Sequence, residues 1–188
     1  MEVEPIKDLK KIQAMKVLLR NKSLRDEAMF VLGINTALRI SDLLTLKVGD
    51  VVNEKGKMLD SVEIQEQKTA KMKQFQLNKS VKDTLSCYLK TRSNCTRDEP
   101  LFPSRNGGGP LCRWRARDIL HEAGEAVGLD RIGTHSLRKT FGYHVYKKSC
   151  GNLGLVQKLL NHATSGDTLR YIGIDKEEMD ATYMDLNL

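Results

Sequence analysis

Four groups of side chains in this sequence are of types and at spacings that suit chemistry on a phosphate. Gly133-Thr134-His135-Ser136-Leu137-Arg138 puts an imidazole and a guanidinium three residues apart at a helix start. Both then point to the same side, where one phosphate can meet both. Thr36-Ala37-Leu38-Arg39-Ile40-Ser41-Asp42 sets an arginine in an apolar run, where a long cation is costly without a partner. Asp42 can be that partner, and taken by itself this group reads first as an internal ion pair that pins the helix start. Leu160-Asn161-His162 and Arg170-Tyr171 place a histidine and a tyrosine nine residues apart with a turn between them. The polar run 65–73 gathers Lys68, Lys71 and Lys73 at or near one turn.

The elements that must position these groups follow from periodicity. Ile6, Leu9, Ile12, Met15 and Leu19 recur at spacings of three and four, one apolar face of a helix. Ser23 with Asp26 three residues on reads as a capping box that opens a second helix through Ala28, Phe30, Val31 and Ile34. A third helical segment is expected from Ile40 to Leu46. The rhythm then changes to two: Val51-Val52, Val62 and Ile64, and Phe75 and Leu77 predict three strands, with residues 65–73 as the hairpin tip between the second and third. Ser80 with Asp83 caps a further helix that ends by Arg92, and the Pro- and Gly-rich stretch 93–110 reads as a crossing loop. Helices are expected near 112–127, 135–148, 153–161, 166–171 and 176–185. The whole predicts one domain over 1–188, α+β in class and helix-dominated, with a three-stranded antiparallel sheet at one edge.

Composition sets the class of partner. Thirty-one Lys and Arg against 24 Asp and Glu leave +7, the sign expected of a phosphate-binding surface. Cys87, Cys95, Cys112 and Cys150 form no C-x-x-C pair and lack histidines at zinc spacing, so neither a disulfide framework nor a metal site is expected. No apolar run approaches ~18 residues, and the N-terminus has no hydrophobic signal region, so the expectation is the cytoplasm, with no membrane. There is no P-loop and no carboxylate cluster for a two-metal site.

In one chain and in this order, the segments resemble the tyrosine recombinase (phage integrase) family. Its catalytic domain shows A-L-R-x-S-E-L-x-x-L, a lysine in a strand-connecting turn, H-x-L-R-x-T-F, and L-G-H-x-x-x-x-T-x-x-Y. The resemblance runs from about Ser23 to Ile172. It implies a site-specific DNA recombinase that works through a covalent 3′-phosphotyrosine, with no cofactor, metal or ATP. It makes Arg39 and Arg138 the clamp on the scissile phosphate, Lys68 the hairpin lysine with Lys71 as the alternative, His135 and His162 the histidine pair, and Tyr171 the nucleophile. Asp42 stands where the family usually has Glu and is expected to support Arg39. Asn161 replaces the usual Gly before the histidine, and Ala70 the usual Gly after Lys68-Thr69.

The chemistry fits these residue types. Charge that develops on nonbridging phosphate oxygens is matched bidentately by guanidinium forks. A phenol with a pKa near ~10 must lose its proton as it attacks, which suits a histidine base; His135 is the first candidate, with His162 donating to a phosphate oxygen. The leaving 5′ oxygen needs a proton, which a lysine in a positive field can give. Double-stranded DNA is the expected partner, contacted by Lys71, Lys73, Arg113, Arg115 and Lys139, with self-association into dimers or tetramers on it. Family members carry an N-terminal helical domain, which is expected to be absent here, and a terminal helix over 175–188 is expected either to dock on a neighbouring subunit or to pack on its own domain. Two other readings share the pattern: an idle integrase-like DNA-binding accessory protein, and a type IB topoisomerase-like enzyme.

Overall fold

A computed structural model of the chain describes residues 3–92, 94–105, 107, 109–173 and 183–186. Helix α1 (Leu9–Lys22) begins where Asp8 accepts a bond from the Lys10 backbone N–H at 2.7 Å. It packs with α2 (Leu24–Thr36), whose residues 28–33 are all buried. The short helices α3 (Ile40–Leu44) and α4 (Val48–Val51) lead to an antiparallel pair, β1 (Ser61–Gln65) and β2 (Met72–Gln76). Helix α5 (Lys79–Lys90) returns against α2, and after the long loop come α6 (Arg113–Ala126), α7 (Thr134–Lys148), α8 (Leu153–Leu160) and α9 (Ser165–Ile172). No described helix is long and apolar enough to cross a membrane.

The α+β, helix-dominated class holds, with one correction: among the described residues the sheet has two strands, not three. Val51 ends a helical turn, and Val52 meets Met58 only in an isolated bridge. The Val52 N–H closes the turn on the Val48 carbonyl at 3.1 Å, and the start of that turn is held by the crossing loop, Val48 N–H to the Glu99 carbonyl at 3.0 Å and Gly49 N–H to that of Arg97 at 2.8 Å. Two caps also differ. Ser23 is the N-cap residue of α2 but its side chain makes no capping bond, and Asp26 is held by Arg25 at 2.7 Å. Helix α5 starts earlier than expected, at Asn78, whose side chain accepts from the Val81 N–H at 3.0 Å. The terminal helix expected from 175 falls mostly outside the described residues.

Two apolar clusters hold these pieces together. The large one runs from Ile6 through α1, α2, α5 and α6 to Leu137. Gly33 lets α7 approach α2 closely: a Cβ there would lie 2.5 Å from Leu137 Cδ1 and 3.2 Å from Leu137 Cβ. The small cluster, Ala37, Val156, Leu160 and Ile172 with Phe141 and Tyr171 against it, binds α7, α8 and α9 to the end of α2. Helix α7 is thus seated in both, with His135 and Arg138 on its first turns.

Candidate active site

Arg138 begins the site because it is the costliest group in it. It is 2% exposed, and a guanidinium stays charged when buried. Its partners are carbonyls at two helix ends, Ala37 at 2.7 Å and Leu160, where the last carbonyls of a helix lack partners within it and carry its negative pole. Ala37 reaches that pose through a left-handed backbone, φ 55°, just past the end of α2, a conformation that costs a residue with a Cβ roughly 1–2 kcal/mol. Asn161 ends α8 the same way at φ 53°, a pose that asparagine tolerates better than most residues.

Arg39 enters from the N-cap of α3, part-buried, with Nη1 2.8 Å from Glu66 Oε1 and 4.0 Å from Asp42 Oδ2. Asp42 is 1% exposed; its Oδ1 accepts from the Gln67 N–H at 2.9 Å while Oδ2 has no hydrogen-bond partner among the described residues. The nearer anion to Arg39 is therefore Glu66, which the sequence reading passed over.

Tyr171, on the last turn of α9, is half-buried. The His162 ring meets it edge to face, centroids 4.9 Å apart, and the Arg138 guanidinium carbon lies 6.0 Å from its ring centre. Burial pushes the phenol above its usual value, while Arg138 and Arg39 pull it back. His162 Nδ1 is 3.2 Å from Thr168 Oγ1, which fixes the ring. Burial first, and then Arg138, hold His162 below the ordinary imidazole value; for His135 burial comes first and then Arg113 and Arg138. Both imidazoles are thereby kept neutral near pH 7.

Arg39, Lys68, His135, Arg138, His162 and Tyr171 all line one open cleft of about 650 Å³. Six side chains spread over 133 positions of sequence thus share one wall. Asp42 does not line it, and its Oδ2 lies 4.0 Å from Arg39 Nη1. Lys68 and Lys71 are both exposed on the hairpin, and of the two Lys68 faces the cleft. Ala70 takes the left-handed turn position at φ 52° where the motif usually has Gly.

The residues read as DNA contacts divide. Lys71, Arg113 and Arg115 are exposed, and Arg113 and Arg117 stand 5.4 and 5.5 Å from the ring centre of Trp114, itself 62% exposed. Lys73 and Lys139 turn inward. Lys139 is 7% exposed, with Nζ 5.6 Å over the Tyr171 ring. Lys73 donates to the carbonyls of Ala37 at 3.1 Å and Leu159 at 3.2 Å, and burial, then Arg138, lower it to about 8 against the pull of Glu66. The strand alternation contained this signal: Ile64 pairs with Lys73 and Val62 with Phe75, so 62, 64 and 66 share the inner face with 73, 75 and 77.

The sequence profile of the phage integrase family matches residues 6–178. The chain is 43% identical over 181 residues to the probable integrase/recombinase YoeC of Bacillus subtilis, covering 96% of this chain and 95% of that one. It is 25% identical to tyrosine recombinase XerA of Pyrococcus horikoshii, over 92% of this chain but 59% of the relative. Against XerA and the XerC and XerD relatives it spans between half and three fifths of their length. A solved structure of the Tn1549 transposon integrase, in complex with transposon right end DNA, shares the fold with a TM-score of 0.69 at 16% identity, over 97% of this chain and 65% of that one. The chain belongs to the phage integrase family and has the fold of a tyrosine recombinase catalytic domain.

Proposed function

We propose that this chain is a site-specific recombinase that cuts and rejoins double-stranded DNA through a 3′-phosphotyrosine at Tyr171. The observation that carries the reading is the single cleft that gathers two arginines, two histidines, a lysine and a tyrosine. Arg39 and Arg138 hold the nonbridging oxygens and stabilise their growing charge. Tyr171 Oη attacks phosphorus in line, its proton passes to His135, and the bond from phosphorus to the 5′ oxygen breaks. That oxygen takes a proton from Lys68. His162, steadied by Thr168, gives a hydrogen bond to the phosphate. A free 5′ hydroxyl then attacks the phosphotyrosine and runs the steps backward.

Each step exchanges one phosphoester bond for another, so the cycle needs no ATP, and the guanidinium pair carries the charge that a metal would otherwise meet. Lys71, Arg113 and Arg115 contact DNA from the exposed rim, while Lys139 and Lys73 act from within the wall. Joining two duplexes calls for self-association on DNA, in the cytoplasm where the nucleoid lies.

The test uses a pool of nicked suicide duplexes with a randomised core, in the presence of a chelator. A covalent protein–DNA band is expected that is absent with Tyr171→Phe, and sequencing its DNA gives the target. Absence of any adduct with the wild-type chain, with shifted but uncut DNA, would favour an accessory binding protein. Adducts with no sequence preference, and relaxation of supercoils, would favour a topoisomerase.

A further inference from the structure

Glu66 is fully buried, 0% exposed, and does not line the cleft. Its two oxygens nevertheless hold the cleft's parts from behind. Oε1 accepts from Arg39 Nη1 at 2.8 Å and lies 3.9 Å from Arg138 Nη1 and 4.0 Å from Lys73 Nζ. Oε2 accepts from Thr69 Oγ1 at 2.7 Å and from Asn161 Nδ2 at 3.1 Å. Thr69 adjoins Lys68 and Asn161 adjoins His162, so one carboxylate touches the neighbours or the side chains of four cleft residues. Its backbone closes the same turn, with Glu66 N–H to the Lys71 carbonyl at 2.9 Å and Ala70 N–H to the Glu66 carbonyl at 2.8 Å.

Charge explains why a carboxylate is needed here. Arg39, Arg138 and Lys73 crowd into a space where like charges repel strongly, and Glu66 and Asp42 are the anions set among them. Three cations against two anions leave an excess for the phosphate without the cations driving one another apart. Asn161, which replaces the motif's usual Gly, adds a donor that Gly could not supply. Burial by itself would favour the neutral acid, but the bonds from Thr69 and Asn161 and the charge of Arg39 outweigh it and keep Glu66 ionised. Fully buried, bonded through both oxygens and with no face toward the cleft, it is not placed to take a proton from the substrate.

We propose that Glu66 is a positioning residue, whose buried carboxylate sets the Arg39 guanidinium where the scissile phosphate meets it without itself touching DNA. This rests on the phosphoryl-transfer reading above. Its measurement is single-turnover cleavage of the nicked duplex recovered with the wild-type chain, for wild type, Glu66→Gln, Arg39→Ala and the double variant. Removing a partner that orients a metal ligand costs on the order of 10–100-fold, and the same scale is expected for the carboxylate that orients Arg39. Glu66→Gln is expected to lose that much in cleavage rate, with DNA affinity within about threefold of wild type. In the Arg39→Ala background the same change should add less than about threefold, because both substitutions break one unit. Glu66→Asp keeps the charge in the fold but withdraws it from Arg39, and goes through the same cycle in case the glutamine variant does not fold. Cleavage by Glu66→Asp or Glu66→Gln within threefold of wild type, or a loss that multiplies in full on Arg39→Ala, would overturn the assignment. A wild-type chain that forms no adduct would instead sink the recombinase reading and leave Glu66 a structural carboxylate.

Discussion

At the scale of single residues the site is a problem of keeping cations in place. Arg138 is held by carbonyls rather than by a directly bonded carboxylate, so its charge is not cancelled before the phosphate arrives. Both contacts use separate arms of the planar fork, which an ammonium cannot imitate. Arg138→Lys is therefore expected to lower single-turnover cleavage by roughly 10²–10³, the usual cost of one preorganised donor to a developing oxyanion, although charge is conserved. Rates within a few-fold of wild type would mean that the fork is not used. The histidines fix the pH behaviour. Each is held below the ordinary imidazole value, chiefly by burial, so the neutral form persists as pH falls past ~6.5. Cleavage is expected to stay level from pH 8 through ~6.5 and to decline only below it; a fall centred above ~6.5 would contradict the neutral assignment.

At the scale of elements, the helix starts and ends do the positioning, and here the sequence was readable only in part. The motif spacings named the six cleft residues because each motif is short and contiguous, and helix periodicity placed the segments that carry them. Glu66 was not recognised, since an acid between Gln65 and Gln67 looks like hairpin surface until the alternation from Val62 and Ile64 is carried one step further. Lys73 was read as a DNA contact without its inward placement being seen, although Phe75 and Leu77 already marked its face as the inner one. The first of the three expected strands was misread because Val51 closes a helical turn and Val52 bonds back to Val48, while Val48 and Gly49 are held by residues 97–99 through long-range bonds that leave no local pattern. Gly33 is a further such case: its need is set by Leu137, about a hundred positions away. Gly33→Ala is expected to cost about 1–3 kcal/mol, the range for overpacking a tight core, read as a lower urea midpoint with an unchanged slope. An unchanged midpoint would show that α2 and α7 do not cross as closely as described.

At the scale of the whole molecule, the cleft is lined by Arg39, Lys68, Arg138, Lys139 and Arg170, and exposed Trp114 stands between two arginines of α6. Binding that rests on phosphate neutralisation releases counterions, and the slope of log affinity against log salt is about −0.9 per contact. If Arg39, Arg138, Lys68, Lys71, Arg113 and Arg115 engage phosphates, the slope is about −5. A nearly flat response between low and moderate salt would remove DNA as the ligand of this face. The central claim is narrower still: one tyrosine of the five becomes esterified. The most direct measurement takes the adduct from the nicked duplex pool, digests it with nuclease and trypsin, and locates the added nucleotide by mass spectrometry. The nucleotide is expected on the peptide that begins directly after Arg170, at Tyr171; a nucleotide on any other residue would contradict the account.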